Sequence, residues 1–237
     1  REAFSIGVPT YSFDSPEELS KIAKCAPGSK VIVRIKTSGA GASWPLSEKF
    51  GTSPTKATRL LQKAKTLKLE PAGISFHVGS QQRDDAAWDE PIKQSAQMCE
   101  ALKEKGIVID TLNLGGGFPW HYSESVPSIQ EIGKRIQENL SSSGLLDLKI
   151  MTEPGRYLVA SSGMVKAQVI GLTSRSIDTG TRWVFLDVGI YNGLTESSVI
   201  IPKIASDGDY RNTIPSRLGG PTCDSTDIIS GGKIYNL

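Results

Sequence analysis

Cysteine and histidine are scarce in this sequence, three of one and two of the other in 237 residues. Cys25, Cys99 and Cys223 lie far apart, which excludes both a disulfide framework and a CxxC-type zinc site. A reducing cytoplasm is the expected setting. No run approaches the ~20 apolar residues of a membrane helix, and no charged-then-apolar leader opens these residues, so neither membrane insertion nor secretion is expected. Charge of one sign is missing too: 27 Lys plus Arg against 25 Asp plus Glu leaves +2. Without a basic run there is no electrostatic case for nucleic acid or an anionic membrane. What is present, 38% hydrophobic and 22% charged residues, suits a globular protein with one large domain or one plus a smaller piece.

Apolar runs alternate with amphipathic ones. Strands are expected at VPTYSFD (8–14), KVIVRIKT (30–37), PAGISFHVG (71–79), DTLNLGGG (110–117) and LKIMTEPGR (148–156). Helices are expected between them. One starts at Ser15 with Pro16 at its first position and Glu18 completing a capping box,. Another is capped by Ser53 and carries Ala57, Leu60, Leu61, Ala64 and Leu67 on one face,. A third, 84–106, is expected to break near Pro91, and a fourth covers 128–144,. This alternation predicts a parallel α/β architecture, an open sheet or a (β/α)8 barrel. Polar motifs at many strand ends favour the barrel. From about residue 160 the runs become longer and β-branched with no helix between them, which predicts a second, antiparallel β domain,. The abrupt ends, a strand almost at once and GGKIYNL, suggest part of something larger.

Four of the strand-end and loop motifs bear chemistry. Gly115, Gly116 and Gly117 in NLGGGFP can bring bare backbone N–H groups against a phosphate, or only make a tight turn. The spacing is neither G-x-G-x-x-G nor a P-loop, which disfavours a dinucleotide fold. EPGR places Glu153 three residues before Arg156, a phosphate binder or one half of a structural ion pair,. FHVGS offers His77 for stacking, or as a packed residue, with Ser80 as a donor. GGPTCDSTD sets Cys223 in a polar loop, as a proton donor or an inert thiol,. Phosphate donors, a carboxylate for a cationic ring nitrogen, a stacking imidazole and a thiol together describe a site for pyridoxal phosphate.

The segments YSFDS, WPLSEKFG, ISFHVGSQ, LNLGGGFP, EPGRYLVA and GGPTCDSTD together resemble the ornithine/lysine decarboxylases of the alanine-racemase-like fold type (fold-type III) of pyridoxal-phosphate enzymes, bacterial members above all. The resemblance covers essentially the whole chain. It implies an N-terminally incomplete (β/α)8 barrel over 1–158 and part of an antiparallel β domain over 159–237. It implies the cofactor pyridoxal 5'-phosphate, with Asp14 nearby and His77 on the pyridine face. Ser80, Gly115, Gly116, Gly117 and Arg156 would hold the phosphate, and Glu153 would pair with the ring nitrogen and keep it protonated. Cys223 would protonate Cα in the partner subunit's site, so a homodimer with shared active sites is expected. Asp224, with Glu196 the nearest other carboxylate, would recognise the distal amine of the substrate. The implied reaction is decarboxylation of ornithine and/or lysine to putrescine or cadaverine, in polyamine biosynthesis.

Two parts of the family pattern have no match: the lysine that anchors the cofactor, upstream of YSFDS, and a tyrosine beyond Leu237. Lys166 in GMVKAQV is not in that motif. The chain is therefore expected to be part of a longer protein and inactive alone. Two alternatives stay open. One is a diaminopimelate-decarboxylase-like enzyme, although that family's CESGD reads CDSTD here. The other is a catalytically inactive homologue acting as a regulatory binding protein, against which the set His77, Glu153, Arg156 and Cys223 weighs.

Overall fold

A computed structural model of the chain describes residues 1–122, 125–174, 181–194 and 213–237. Two compact units make it up, Arg1–Ser161 and Ser162–Leu237. The first runs α1 (Glu2–Ser5), β1 (Thr10–Phe13), α2 (Pro16–Cys25), β2 (Lys30–Arg34), β3 (Ala42–Trp44), α3 (Pro54–Thr66), β4 (Glu70–Ser75), β5 (Ser80–Gln82), α4 (Asp89–Lys103), β6 (Thr111–Asn113), α5 (Ile129–Ser142), β7 (Lys149–Met151) and α6 (Arg156–Val159). Five strands form one sheet in the order β1-β2-β4-β6-β7, every pair parallel. Helices α2, α3, α4 and α5 carry the chain between successive strands. This repeat is that of an incomplete (β/α)8 barrel.

Side chains alternate across each strand. Val31, Val33 and Ile35, Ile74 and Phe76, and Leu112 and Leu114 join the helix-side core with Leu19, Leu61, Trp88, Ile92, Leu102 and Ile132, all buried. The other face is mostly polar: Ser12, Arg34, Ser75 and Asn113, with Ile32, line one cavity there. Parallel pairing puts the carboxyl ends of all five strands on one side, so every strand-end loop begins there.

The helices start where their caps sit. Ser15 accepts from Glu18 N–H and Ser53 from Lys56 N–H, each with Pro at the first position,. Glu18 itself pairs with Lys21. Ser128 and Glu131 form a complete reciprocal capping box at α5,. Three expectations are corrected. The chain opens on the single turn α1 rather than a strand. The stretch 84–106 divides at Trp88, after a 3-10 turn (Asp85–Trp88) and before α4, rather than at Pro91. Pro91 sits in the first turn of α4, where a missing N–H costs no helical hydrogen bond. And β4 and β7 stop at Ser75 and Met151, so that His77, Glu153 and Arg156 belong to loops or to α6, not to strands.

The second unit holds β8 (Val169–Thr173), β9 (Arg182–Leu186), β10 (Pro215–Gly219) and β11 (Tyr235–Asn236) in one sheet. The β8–β9 and β10–β11 pairs are antiparallel and β9–β10 is parallel. Val184, Leu218 and Ile229 are its buried core. Among the described residues no helix is long and apolar enough to cross a membrane.

The NLGGGFP segment is anchored in the core of the first unit. Phe118, 6% exposed, stacks on fully buried Trp88 at 5.2 Å between ring centroids. Phe118→Ala is expected to cost about 3–5 kcal/mol, read as a lower denaturation midpoint at unchanged m-value.

Candidate functional site

The glycine segment follows β6 directly. Gly115 and Gly117 adopt φ of 67° and 101°, open to glycine at little cost. A β-carbon on Gly115 would run into the Phe76 carbonyl, one on Gly116 into that of Glu153, and one on Gly117 into that of Gly79. The loops after β4, β6 and β7 thus pack backbone on backbone. Glu153 N–H donates to Gly115 O (2.8 Å), and Gln82 N–H to Gly117 O (2.9 Å).

One cavity of about 90 Å³ opens at these strand ends, lined by Ser12, Ile32, Arg34, Ser75, Phe76, His77, Asn113 and Glu153. It brings His77 and Glu153 together. His77 is half-buried, and its Nδ1 accepts from Gly79 N–H at 3.0 Å. Burial pushes the imidazole below its ordinary pKa, the Arg34 guanidinium adds to this, and Glu153 opposes it,. His77 is therefore neutral at neutral pH, its plane fixed. Asn113 Nδ2–H donates to Glu153 Oε1 (2.7 Å) while its Oδ1 accepts from Gly115 N–H (2.9 Å). A larger depression of about 380 Å³, around Lys65, Lys68 and Pro71, lies at the other end of the strands and holds none of the motifs.

Beside the cavity runs a seam of free donors. The Gly116 and Gly117 N–H groups, the Ser80 hydroxyl and the Arg156 guanidinium have no acceptor among the described residues. Ser80 is paired with Trp44 across the antiparallel β3–β5 ladder, and the Arg156 guanidinium lies over the Trp44 ring at 5.0 Å. Among the described residues no carboxylate answers these donors. A ligand carrying its own phosphate fits that donor set.

Asp14 and Ser80 do not line the cavity. Asp14 Oδ2 accepts from Gly51 N–H at 2.7 Å and so holds the loop before α3. In the second unit the Cys223 thiol is exposed. Asp224 accepts from Tyr191 Oη (2.6 Å) and from Thr226, contacts that keep it below the usual carboxylate range. Asp227, 4% exposed, accepts from Ile190 N–H, Thr222 N–H and Thr222 Oγ1 at 2.9, 3.2 and 2.7 Å, clamping the Cys223 loop. Glu196 lies outside the described residues. Cys99 is no nucleophile: burial pushes its thiol up to about 11,.

Four residues of the site carry no role in the sequence reading. Arg34 has one local signal, a charge closing an apolar strand. Asn113, Trp44 and Gln81 lie inside the motifs NLGGGFP, WPLSEKFG and ISFHVGSQ without a task of their own. Gln81 is buried at φ 53° and exchanges two 2.9 Å hydrogen bonds with the Trp120 backbone, a left-handed conformation rare for a residue with a side chain.

Comparison with known proteins bears on this geometry. Residues 1–160 match the family model described as pyridoxal-dependent decarboxylase, pyridoxal binding domain. The chain is 32% identical to a lysine/ornithine decarboxylase of Selenomonas ruminantium over 97% of its own length and 58% of that relative's. It thus spans little more than half of the curated relatives it matches. The arginine decarboxylase of Paramecium bursaria Chlorella virus, solved bound to agmatine, superposes with a TM-score of 0.83 at 30% identity, covering 100% of this chain and 65% of the other. Antizyme inhibitor 2 of Xenopus laevis is 31% identical over 94% of this chain and 52% of its own.

Because the folded pKa of His77 lies below the ordinary 6.5, the unfolded chain takes up this proton first as pH falls. The stability that neutral His77 contributes is complete above about pH 6.5 and is lost as pH drops from there through the folded pKa. Its imidazole resonance in NMR is expected to titrate below pH 6.5; a midpoint above 6.5 contradicts the burial and Arg34 argument.

Proposed function

From the premise that this chain belongs to the family of pyridoxal-dependent decarboxylases, we propose that the whole protein is a carboxy-lyase of a basic amino acid, ornithine and/or lysine, with pyridoxal 5'-phosphate as cofactor. The observation that carries this reading is the seam of unanswered donors, Gly116 and Gly117 N–H, Ser80 Oγ and Arg156, beside a cavity walled by His77 and Glu153. Residues 1–158 supply the pyridoxal-binding part and 159–237 part of a β domain.

The seam would hold the phosphate, Gly115 acting through the turn it makes rather than through its N–H, which Asn113 occupies. Asn113 fixes one oxygen of Glu153 and leaves the other free of it; the carboxylate would hold the ring nitrogen, where a negative charge favours the protonated form. The chemistry that pyridoxal 5'-phosphate would supply here when bound is an electron sink for decarboxylation. His77, neutral and held by Gly79, offers its flat face to that ring without adding a positive charge beside it. Asp14 acts on the site through the loop it holds at Gly51. Cys223 gives a proton to Cα in the site of a partner subunit and recovers one from solvent, which makes a homodimer necessary. Asp224 is oriented by Tyr191 and Thr226 toward a distal amine, with Glu196 a further acidic candidate. The expected setting is the cytoplasm.

The likeness to antizyme inhibitor 2 favours one second reading, a regulatory binder without turnover. Full-length protein with excess pyridoxal 5'-phosphate separates the two. Given ornithine or lysine it is expected to release CO2 and form putrescine or cadaverine. Cofactor bound but no CO2 from either amino acid would leave the regulatory reading. Cys223→Ala is expected to lower amine formation by about 10²–10⁴-fold with cofactor affinity unchanged, measured by product chromatography and equilibrium dialysis.

A further inference from the structure

A two-stranded sheet pairs β3 with β5, Ala42 against Gln82 and Trp44 against Ser80. The pairing depends on a bare backbone at Gly79. That residue has φ of 95°, and a β-carbon there would meet Ala42 Cβ and lie 2.9 Å from Trp44 O. Trp44 is only half-buried and outside the hydrophobic core, so filling space does not account for it. Its ring carries the Arg156 guanidinium at 5.0 Å. Arg156 needs that support. It opens a four-residue helix directly after Gly155, whose φ is 48°, and no carboxylate or carbonyl of the described residues holds its side chain. An aromatic face grips a guanidinium from below and leaves its in-plane N–H edge free for an anion. A carboxylate partner would consume that edge.

We propose that Trp44 is the positioning residue of the phosphate end of the site, aligning the Arg156 guanidinium with the Ser80 hydroxyl to which its own strand is registered. The inference rests on the reading of that seam as a phosphate site. It adds a specificity element: Trp44 acts on ligands that carry a phosphate monoester and not on the pyridoxal ring.

The test uses the full-length protein freed of cofactor, titrated with pyridoxal 5'-phosphate, with pyridoxal and with inorganic phosphate. Trp44→Leu is expected to weaken pyridoxal 5'-phosphate and phosphate about tenfold, with Trp44→Phe in between because benzene carries a weaker quadrupole than indole. Pyridoxal affinity and thermal midpoint stay as in the unsubstituted protein, and Trp183→Phe, in the other unit, changes nothing. Phosphate affinity unaltered in Trp44→Leu overturns the proposal. So does an equal loss for pyridoxal, which marks a merely structural role. If the unsubstituted protein binds neither phosphate ligand, the reading of the seam falls first and Trp44 with it.

Discussion

Backbone laid on backbone, with no room for a β-carbon, holds the candidate site together. Gly115, Gly116 and Gly117 each face a carbonyl of a neighbouring loop, those of Phe76, Glu153 and Gly79. Glu153 and Gln82 then close the seam with hydrogen bonds to Gly115 and Gly117. Three separate strand-end loops become one surface in this way. The same bareness that lets them meet also leaves the Gly116 and Gly117 N–H groups unanswered. A side chain at any of the three would push the loops apart and cover the donors at once. Packing and binding capacity therefore depend on one feature.

Electrostatics follow from that arrangement. His77 lies between Arg34 and Glu153 in a half-buried cavity, and burial with the guanidinium outweighs the carboxylate, so the imidazole is neutral. Asn113 bridges Glu153 and Gly115 and so ties the acidic wall of the cavity to the glycine turn. Neither contact adds a charge. The cations nearest the donor seam and the cavity, Arg156 and Arg34, lie over the aromatic rings of Trp44 and Phe50, and stacking leaves their hydrogen-bonding edges available. The second unit shows a similar economy by itself: one buried carboxylate, Asp227, shapes the loop bearing Cys223 and leaves that thiol exposed.

How much of this was legible in advance depends on distance along the chain. Ser15 with Pro16, Ser53 with Pro54 and the apolar face Ala57–Leu60–Leu61–Ala64 announce α2 and α3, because caps and periodicity act within a few residues,. The motif residues His77 and Glu153 were nameable, and they share a cavity. Pro91 misled because proline reads alike as a helix breaker and as a first-turn residue. Strands expected to reach 79 and 156 end at Ser75 and Met151, since glycine and proline after an apolar run mark a boundary only approximately. Glu196 lies outside the described residues, and Asp14 does not line the cavity but accepts from Gly51 N–H.

The chain's own spelling determined the β/α alternation, the helix starts and the identities of the residues able to answer a phosphate, a ring nitrogen and an aromatic plane. Local rules suffice for these, because each is a matter of neighbours three or four positions away. Only the tertiary structure decided that Asn113 holds Glu153, that Trp44 underlies Arg156, that Gln81 grips Trp120, and which donors stay unanswered. Those outcomes rest on strand register and on loops meeting across a parallel sheet. Register is set by the packing of the whole sheet against its helices, and no short stretch of residues contains it.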